Sequence, residues 1–582
     1  MIPVRSYLSL LSKYLRPQRG RVAMLTLTIL AGIAIQLANP QLIRVFLDRV
    51  TGGERTGLTA LAVWFIVLAF VQQGLSVLAT WQAEYVGWTA TNRMRTELTE
   101  HVLNLDMGFH KKRTPGELIE RIDGDVTALT NFFSAFVIKV GGNVTLLIGV
   151  LVLLWIESAW IGFGLTVFSV AAMAVMIGLQ QVAVPWWKAV RGTSAELYGF
   201  IGEQVEGTED IRGNGGVPYM IHKFTLILRR WLPQHVKGRY GFSLMWGTNI
   251  GVYVISTGIV FWLGSIFFGR STMTIGSVYL VFHYLALLRH PMDEIRNQME
   301  DFQKAGAGIE RVSELFAEVS GLDTSGTEMT PRGALRVELD EMTFAYDDAH
   351  GGEIVLDELS LDIRPGRIVG VLGRSGSGKT TLARLLTRLY DPVHGEIRIG
   401  GIDVRDMEVH DLRHSVGMIT QDVQLFRATV RDNLTFFDET ADDDDLLTRV
   451  EALGLGGWLR ALPNGLNTML EAGGAGLSAG QAQLLAFCRI YLADPGLVIL
   501  DEASSRVDPA TEQLIERAVD GLLADRTGLI IAHRLATVQR ADDVLILEDG
   551  HIVEYGDRAE LMDDENSRLS HLLAAGMDEV LA

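Results

Sequence analysis

Gly373-Arg374-Ser375-Gly376-Ser377-Gly378-Lys379-Thr380-Thr381 sits between the apolar run Ile368-Val369-Gly370-Val371-Leu372 and a helix-like segment from Thr380 to Tyr390. Its first eight residues fit G-x-x-x-x-G-K-[ST] in full, and a strand before with a helix after is the context that pattern requires. Glycines let a backbone curl until its N–H groups point inward at phosphate oxygens. The helix N-terminus adds a favourable potential for an anion. In such a loop Lys379 reaches the β- and γ-phosphates, and the Thr380 hydroxyl ligates Mg²⁺. The stretch therefore predicts an α/β nucleotide-binding domain.

Two further strands end in chemically useful residues. Leu497-Val498-Ile499-Leu500 runs into Asp501-Glu502. Four apolar residues suit a buried parallel strand whose C-terminal end faces the ligand crevice. Asp501 would hold Mg²⁺, directly or through water, and Glu502 would polarise the attacking water. Gly528-Leu529-Ile530-Ile531-Ala532 delivers His533 to the same edge, where an imidazole can meet either the γ-phosphate or the attacking water. The only cysteine, Cys488, lies in an apolar helical run and reads as a small buried hydrophobe. One cysteine excludes an intrachain disulfide and a multi-cysteine metal site.

A chain of 582 residues is too long for one core. Its average of 48% hydrophobic residues hides a partition, because the long apolar runs all precede residue 290. Candidate membrane spans fall near 22–47, 57–82, 134–156, 159–182, 243–268 and 274–290, against the roughly 20 residues that a crossing needs. Asn39-Pro40 interrupts the first, and the short sixth carries His283, Tyr284 and Arg289. These features suit helices beside a polar pathway and equally suit ordinary helix packing. Gln36, Asn39, Trp246, Asn249, His283 and Tyr284 are candidates for a cavity face. Residues 4–15 predict a short helix along the membrane surface, ended by Pro17.

The loops after the second and fourth spans are long, partly helical and basic, with Arg93, Lys111, Arg121, Lys188, Arg191 and Arg229 among their charges. Positive charge collects in cytoplasmic loops, and the basic N-terminus agrees, so both termini are expected in the cytoplasm. A net charge of −19 argues against a nucleic-acid partner. The expected plan is a membrane domain over 1–318, a linker over 319–334 and a nucleotide-binding domain over 335–582.

With these motifs in one order, the chain resembles the ABC transporter superfamily, specifically exporter-type half-transporters (type IV fold) like the bacterial multidrug and lipid exporters. Leu477-Ser478-Ala479-Gly480-Gln481 is similar to the family's LSGGQ signature, and Gln421 matches the Q-loop residue that contacts Mg²⁺. Tyr346 matches the aromatic that stacks on adenine, Asp508 the D-loop aspartate and His533 the switch histidine. The resemblance implies a multi-domain membrane protein: an all-α domain of six helices, then a P-loop ATPase domain with a helical signature subdomain. It implies ATP and Mg²⁺ as cofactors, with Thr380, Gln421 and Asp501 on the metal. It also implies head-to-tail dimerisation, so that Ser478 and its neighbours would bind the partner chain's ATP. Coupling helices are expected near Ile122 to Leu129 and near Gly213 to His222.

Departures from the family pattern cluster on the signature side. Ala479 replaces the first glycine of LSGGQ, Ala482 a common Arg, and Arg506-Val507 stands where Ala-Leu is common. Lys379, Asp501, Glu502, Gln421 and His533 are all present. That asymmetry favours a heterodimer, whose partner would complete the hydrolytic site. The expected function is ATP-driven export or flipping of an amphipathic small molecule, lipid or peptide across the inner membrane. An importer of a metal-chelate-like substrate, or a non-pumping ATP-gated channel or regulatory subunit, is the alternative.

Overall fold

The computed structural model describes residues 12–135, 140–269, 273–346, 353–420, 423–474, 476–501, 509–532 and 538–575. The chain divides into two compact units: residues 1–103 with 115–318, and residues 104–114 with 319–582.

The first unit is helical because a chain in hydrocarbon must satisfy its own backbone N–H and C=O groups. Its long helices are α1 (Arg19–Thr51), α2 (Leu58–Leu103), α3 (Asn143–Glu157), α4 (Ala159–Glu206), α5 (Val217–Gly269) and α6 (Ile275–Ala317). Among the described residues, five helical stretches are long and apolar enough to cross a membrane, and these contain α1 to α5. The apolar part of α6, Ile275–Arg289, is shorter than a full span. Phe70, Ile156, Trp160 and Trp262 project large apolar side chains from this unit's surface, as lipid-facing helices do. The second, fourth and fifth spans extend far beyond their predicted apolar cores, so the long basic loops are largely helix.

Two expectations change here. Pro40 does not interrupt α1, which runs through it. Neighbouring helices can absorb the lost hydrogen bond of a membrane proline. Pro17 does not end a helix either. It lies in a tight 3₁₀ turn, Arg16–Gln18, and α1 follows at once. Proline is tolerated there because the first N–H groups of a helix need no internal partner. Of the predicted surface helix, residues 4–11 lie outside the described residues. Tyr14 is buried, and its hydroxyl donates to Glu97 of α2 at 2.8 Å beside the Lys13 ammonium at 2.9 Å.

The second unit holds two sheets. Strands β1 (Val337–Ala345), β2 (Ile354–Ile363), β4 (His394–Ile399) and β5 (Ile402–Asp403) form an antiparallel sheet in the order β2-β1-β4-β5. Strands β3 (Ile368–Leu372), β6 (Val416–Ile419), β7 (Leu497–Asp501), β8 (Thr527–Ile531), β9 (Asp543–Glu548) and β10 (His551–Asp557) form the other, ordered β10-β9-β3-β8-β7-β6. From β9 to β6 every pairing is parallel. Helix α7 (Lys379–Leu386) follows β3, α8 (Ala479–Ala493) precedes β7, and α9 (Pro509–Leu523) precedes β8. Val369, Val371, Leu382, Leu385, Ile499 and Ile531 share one apolar core. A second core contains Phe487 and Cys488, and burial pushes the Cys488 thiol up to about 12, leaving almost no thiolate at neutral pH.

The linker is tied down by a buried cation. Arg388 is fully buried; its Nε donates to Asp391 at 3.1 Å and its Nη2 to the Asp323 carbonyl at 2.5 Å. Arg388→Ala should remove the charged donor to the linker carbonyl and open a cavity where the guanidinium is buried, destabilising the unit by about 2–4 kcal/mol. The check is thermal unfolding of the purified protein, expected to shift down by several degrees; an unchanged midpoint would contradict the anchoring role.

Candidate nucleotide site

Parallel register decides which residues share an edge. Val371 pairs with Ile531, and Ile531 pairs with Asp501, so β3, β8 and β7 end level with one another. In a parallel α/β sheet that edge is where ligands bind. The loop from Gly373 begins there, and Asp501 closes β7 there.

The loop's backbone needs glycine at defined points. Gly376 and Gly378 adopt φ of 86° and 101°, and a Cβ on Gly378 would meet Leu356 Cδ2 at 2.3 Å. Gly378 then caps α7, which opens on Lys379. The Lys379 ammonium is folded over its own loop, donating to the carbonyls of Gly373 at 2.7 Å and Arg374 at 2.9 Å. Ser377 is buried, and its Oγ has no hydrogen-bond partner among the described residues. Arg374 and Ser375 complete the turn. A cradle with glycine at its positive-φ points, closed by a buried ammonium and an orphaned hydroxyl, fits a polyphosphate.

Thr380 Oγ1 donates to Asp501 Oδ2 at 3.1 Å, and Asp501 is nearly buried. Hydroxyl and carboxylate oxygens are hard donors suited to Mg²⁺, which takes its remaining ligands from water and phosphate. Among the described residues, no cluster of three His, Cys, Asp or Glu side chains competes as a metal site. Gln421, Glu502, Asp508 and His533 lie outside the described residues. The strand leading to each of Gln421, Glu502 and His533 ends at the same edge of the sheet.

Tyr346 follows β1 and is held in place. Its hydroxyl lies 3.0 Å from Thr381 Oγ1 and accepts from Arg384 at 3.3 Å, while Tyr390 packs edge-on at 5.2 Å. A feature that sequence reading missed covers its ring: the Lys111 ammonium lies 3.9 Å from the ring centroid. Lys111 belongs to the short helix Met107–Lys112, within the segment 104–114 that clusters with this unit. Asp106 caps that helix by accepting from Phe109 N at 2.9 Å, and it also accepts from Gly321 N at 2.6 Å. Burial pulls the Asp106 carboxyl up, but these backbone bonds outweigh it and hold it below the usual carboxylate range. The loop excursion thus sits upstream of Ile122 to Leu129, where a coupling helix was expected. That stretch is helical, a π-helical turn, Glu120–Asp125, running directly into the helix Val126–Ala135, in the first unit. The N-cap pattern Asp106-Met107-Gly108-Phe109 was the available signal.

The signature residues form the start of α8. Ser478 is the N-cap: its Oγ accepts from Gln481 N at 3.2 Å, and Gln481 Oε1 accepts from Ser478 N at 3.0 Å. Leu477 packs against the adjacent core and Gly480 is buried. Ala479 is exposed at the first helical position and is not among the residues with positive φ. Its methyl group therefore costs this chain nothing in backbone strain.

The candidate cavity residues do not form one face. Tyr284 is fully buried, donating to the Leu37 carbonyl and accepting from Gln41, both at 2.9 Å. Asn39 is also buried, whereas Trp246 is exposed, and Gln36 and Asn249 line different pockets. Helical spacing alone could not reveal which face of α6 packs inward.

Comparison with known proteins agrees with this geometry. Residues 22–292 match the ABC transporter transmembrane region family and residues 356–505 the ABC transporter family. An uncharacterized ABC transporter ATP-binding protein of Bacillus subtilis, YknV, is 29% identical over 95% of this chain and 92% of its own length. An ATP-dependent lipid A-core flippase of Photorhabdus laumondii is 28% identical over 90% of both chains. The solved structure of a bacterial Atm1-family ABC exporter with ATP bound superposes with a TM-score of 0.77 at 24% identity, over 96% of this chain and 98% of that one. That last likeness is one of fold.

A base can stack on the covered face of Tyr346 only if Lys111 leaves it. Lys111→Ala should therefore tighten binding of a fluorescent ATP analogue by about two- to fivefold, the scale of an exposed cation–π contact. Equal or weaker binding would contradict that competition.

Proposed function

The chain belongs to the ABC transporter superfamily, and on that premise we propose that it exports or flips an amphipathic substrate as one subunit of a heterodimer. It is a multi-pass transmembrane protein of exporter-type fold with an ATP-binding domain of ABC ATPase type. The observation that carries the proposal is the phosphate cradle of Gly373 to Thr381, with Thr380 hydrogen-bonded to Asp501, on the same chain as the membrane helices.

In this reading the membrane domain spans 1–318, the linker 319–334 and the ATPase domain 335–582, with α6 as the sixth crossing and both termini cytoplasmic. Tyr346 stacks the base. Lys379 and the loop N–H groups hold the phosphates. Thr380, Asp501 and Gln421 would hold Mg²⁺, which supplies charge neutralisation at the phosphates. Glu502 accepts the proton of the attacking water, and His533 orients it from the neighbouring strand. Leu477 to Gln481 and Asp508 act on the partner's nucleotide. Closure of two such domains would bias the membrane helices between two access states.

For the substrate, support comes from a pocket of about 540 Å³ in the first unit, lined by Gln36, Gln72, Ser76, Thr80 and Asn143 together with Ile29, Ile33 and Leu146. Apolar walls with scattered hydrogen-bonding groups suit an amphipath. The relatives named as lipid A-core flippases support the same class. Heterodimerisation is supported by the complete hydrolytic set beside the altered signature, Ala479 and Ala482.

Glu502→Gln should retain ATP binding but lower hydrolysis about a hundredfold or more. ATP-dependent uptake of a fluorescent lipid into inside-out vesicles should disappear with it. Uptake that persists in the variant, or transport in the opposite sense, would sink the export reading. Affinity-tagged chain should bring down a different half-transporter; recovery of only this chain would sink the heterodimer.

A further inference from the structure

Val409-His410-Asp411-Leu412-Arg413-His414-Ser415 forms a short helix between β5 and β6 in the second unit. His410 and His414 are four residues apart, so their side chains leave one face of that helix. Leu412 is buried, whereas both imidazoles are exposed. Their ring centroids lie 4.6 Å apart, with the planes inclined at 55°. The charged side chains around them are committed elsewhere. Glu408 Oε2 accepts from Asp411 N at 2.6 Å, Asp411 Oδ2 accepts from Thr330 N at 2.6 Å, and Arg413 Nη2 donates to the Arg388 carbonyl at 3.3 Å. Among the described residues, neither imidazole has a hydrogen bond or an ion pair.

Two imidazoles so placed can chelate a metal. A neutral imidazole offers one nitrogen lone pair to an ion. A metal–nitrogen bond of about 2.0–2.1 Å places the ion about 3.2 Å from the ring centroid. With one nitrogen of each ring turned to a common ion, centroids 4.6 Å apart subtend about 90° at that ion. That is the angle between neighbouring ligands in square-planar and octahedral sites, and a small opening reaches the tetrahedral one. The donor type disfavours the hard Mg²⁺ expected at Thr380 and Asp501, which takes oxygen ligands. Imidazole suits Cu²⁺, Ni²⁺ and Zn²⁺.

The same helix is the place where the linker is laid down. Thr330 N is held by Asp411. Glu328 N donates to the Asp406 carbonyl and its carbonyl accepts from Glu408 N, each at 2.9 Å. From Ser415 the chain passes directly into β6, the strand that leads to Gln421. Seven residues make a helix with little stability of its own, because so few hydrogen bonds barely offset the cost of nucleation. An ion bridging His410 and His414 closes one full turn of it.

We propose that His410 and His414 bind a divalent transition metal as a bidentate pair, with water in its remaining positions. Copper(II) binds tightest there, ahead of nickel(II) and zinc(II). The bound ion braces the helix that carries the linker. That role is separate from the Mg²⁺ of ATP hydrolysis and independent of what the protein transports.

The test uses the purified, assembled transporter, carrying a histidine-free tag, stripped of metal with a chelator and titrated with copper(II) chloride in excess Mg²⁺. One Cu²⁺ per chain should bind with the paramagnetic resonance pattern of two nitrogen ligands. His410→Gln and His414→Gln should each weaken it about tenfold or more, the loss expected when a second ligand is no longer held beside the first. Nickel(II) should raise the thermal-unfolding midpoint of the parent by a few degrees and leave that of either variant in place. His551→Gln, at an exposed histidine elsewhere in the unit, should change none of these. Both test variants alter exposed side chains, and binding of a fluorescent ATP analogue checks that each remains folded. Absence of the two-nitrogen pattern, or an unchanged Cu²⁺ affinity in either variant, would overturn the chelate. A midpoint that bound metal fails to move would overturn the bracing.

Discussion

Parallel pairing of β3, β8 and β7 brings the chemistry of the nucleotide unit together. Each strand is an apolar run that must be buried on both faces, and parallel hydrogen bonding between them fixes where each one ends. With Val371 opposite Ile531 and Ile531 opposite Asp501, the phosphate loop and the acid emerge at one level. The hydrogen bond from Thr380 to Asp501 follows from that register. A one-residue slip of β7 would turn the acid to the other face of the sheet.

The helical unit obeys a different constraint. Hydrocarbon offers no hydrogen bonds, so the chain keeps its backbone in continuous helix across each span, even through Pro40. Beyond the apolar cores the same helices continue as charged surfaces. A side chain's position along these helices says little about its environment. Tyr284 and His283 are neighbours on α6, yet only Tyr284 is wholly buried and hydrogen-bonded to α1.

Between these regimes, the segment 104–114 leaves the C-terminal end of α2 and clusters with the nucleotide unit. It is fastened by the Asp106 carboxylate at Gly321 and by the Lys111 ammonium on Tyr346. A charge carried by the membrane region's own loop thus covers the aromatic ring proposed to receive the base. Occupancy of that ring and the position of the loop are linked in both directions, as any competition for one surface must be.

By itself the sequence determined the two-part plan, the phosphate loop and the strand that ends in Asp501. These readings rest on local rules: apolar run length, glycine spacing and strand-to-helix context. It also located the long helical extensions and the buried Cys488. Only the tertiary structure decided that Pro40 stays within a helix, that Tyr284 is packed inward, and that Lys111 covers Tyr346. Lys111 and Tyr346 are far apart in the chain, and no local pattern encodes which distant side chain fills a given ring face.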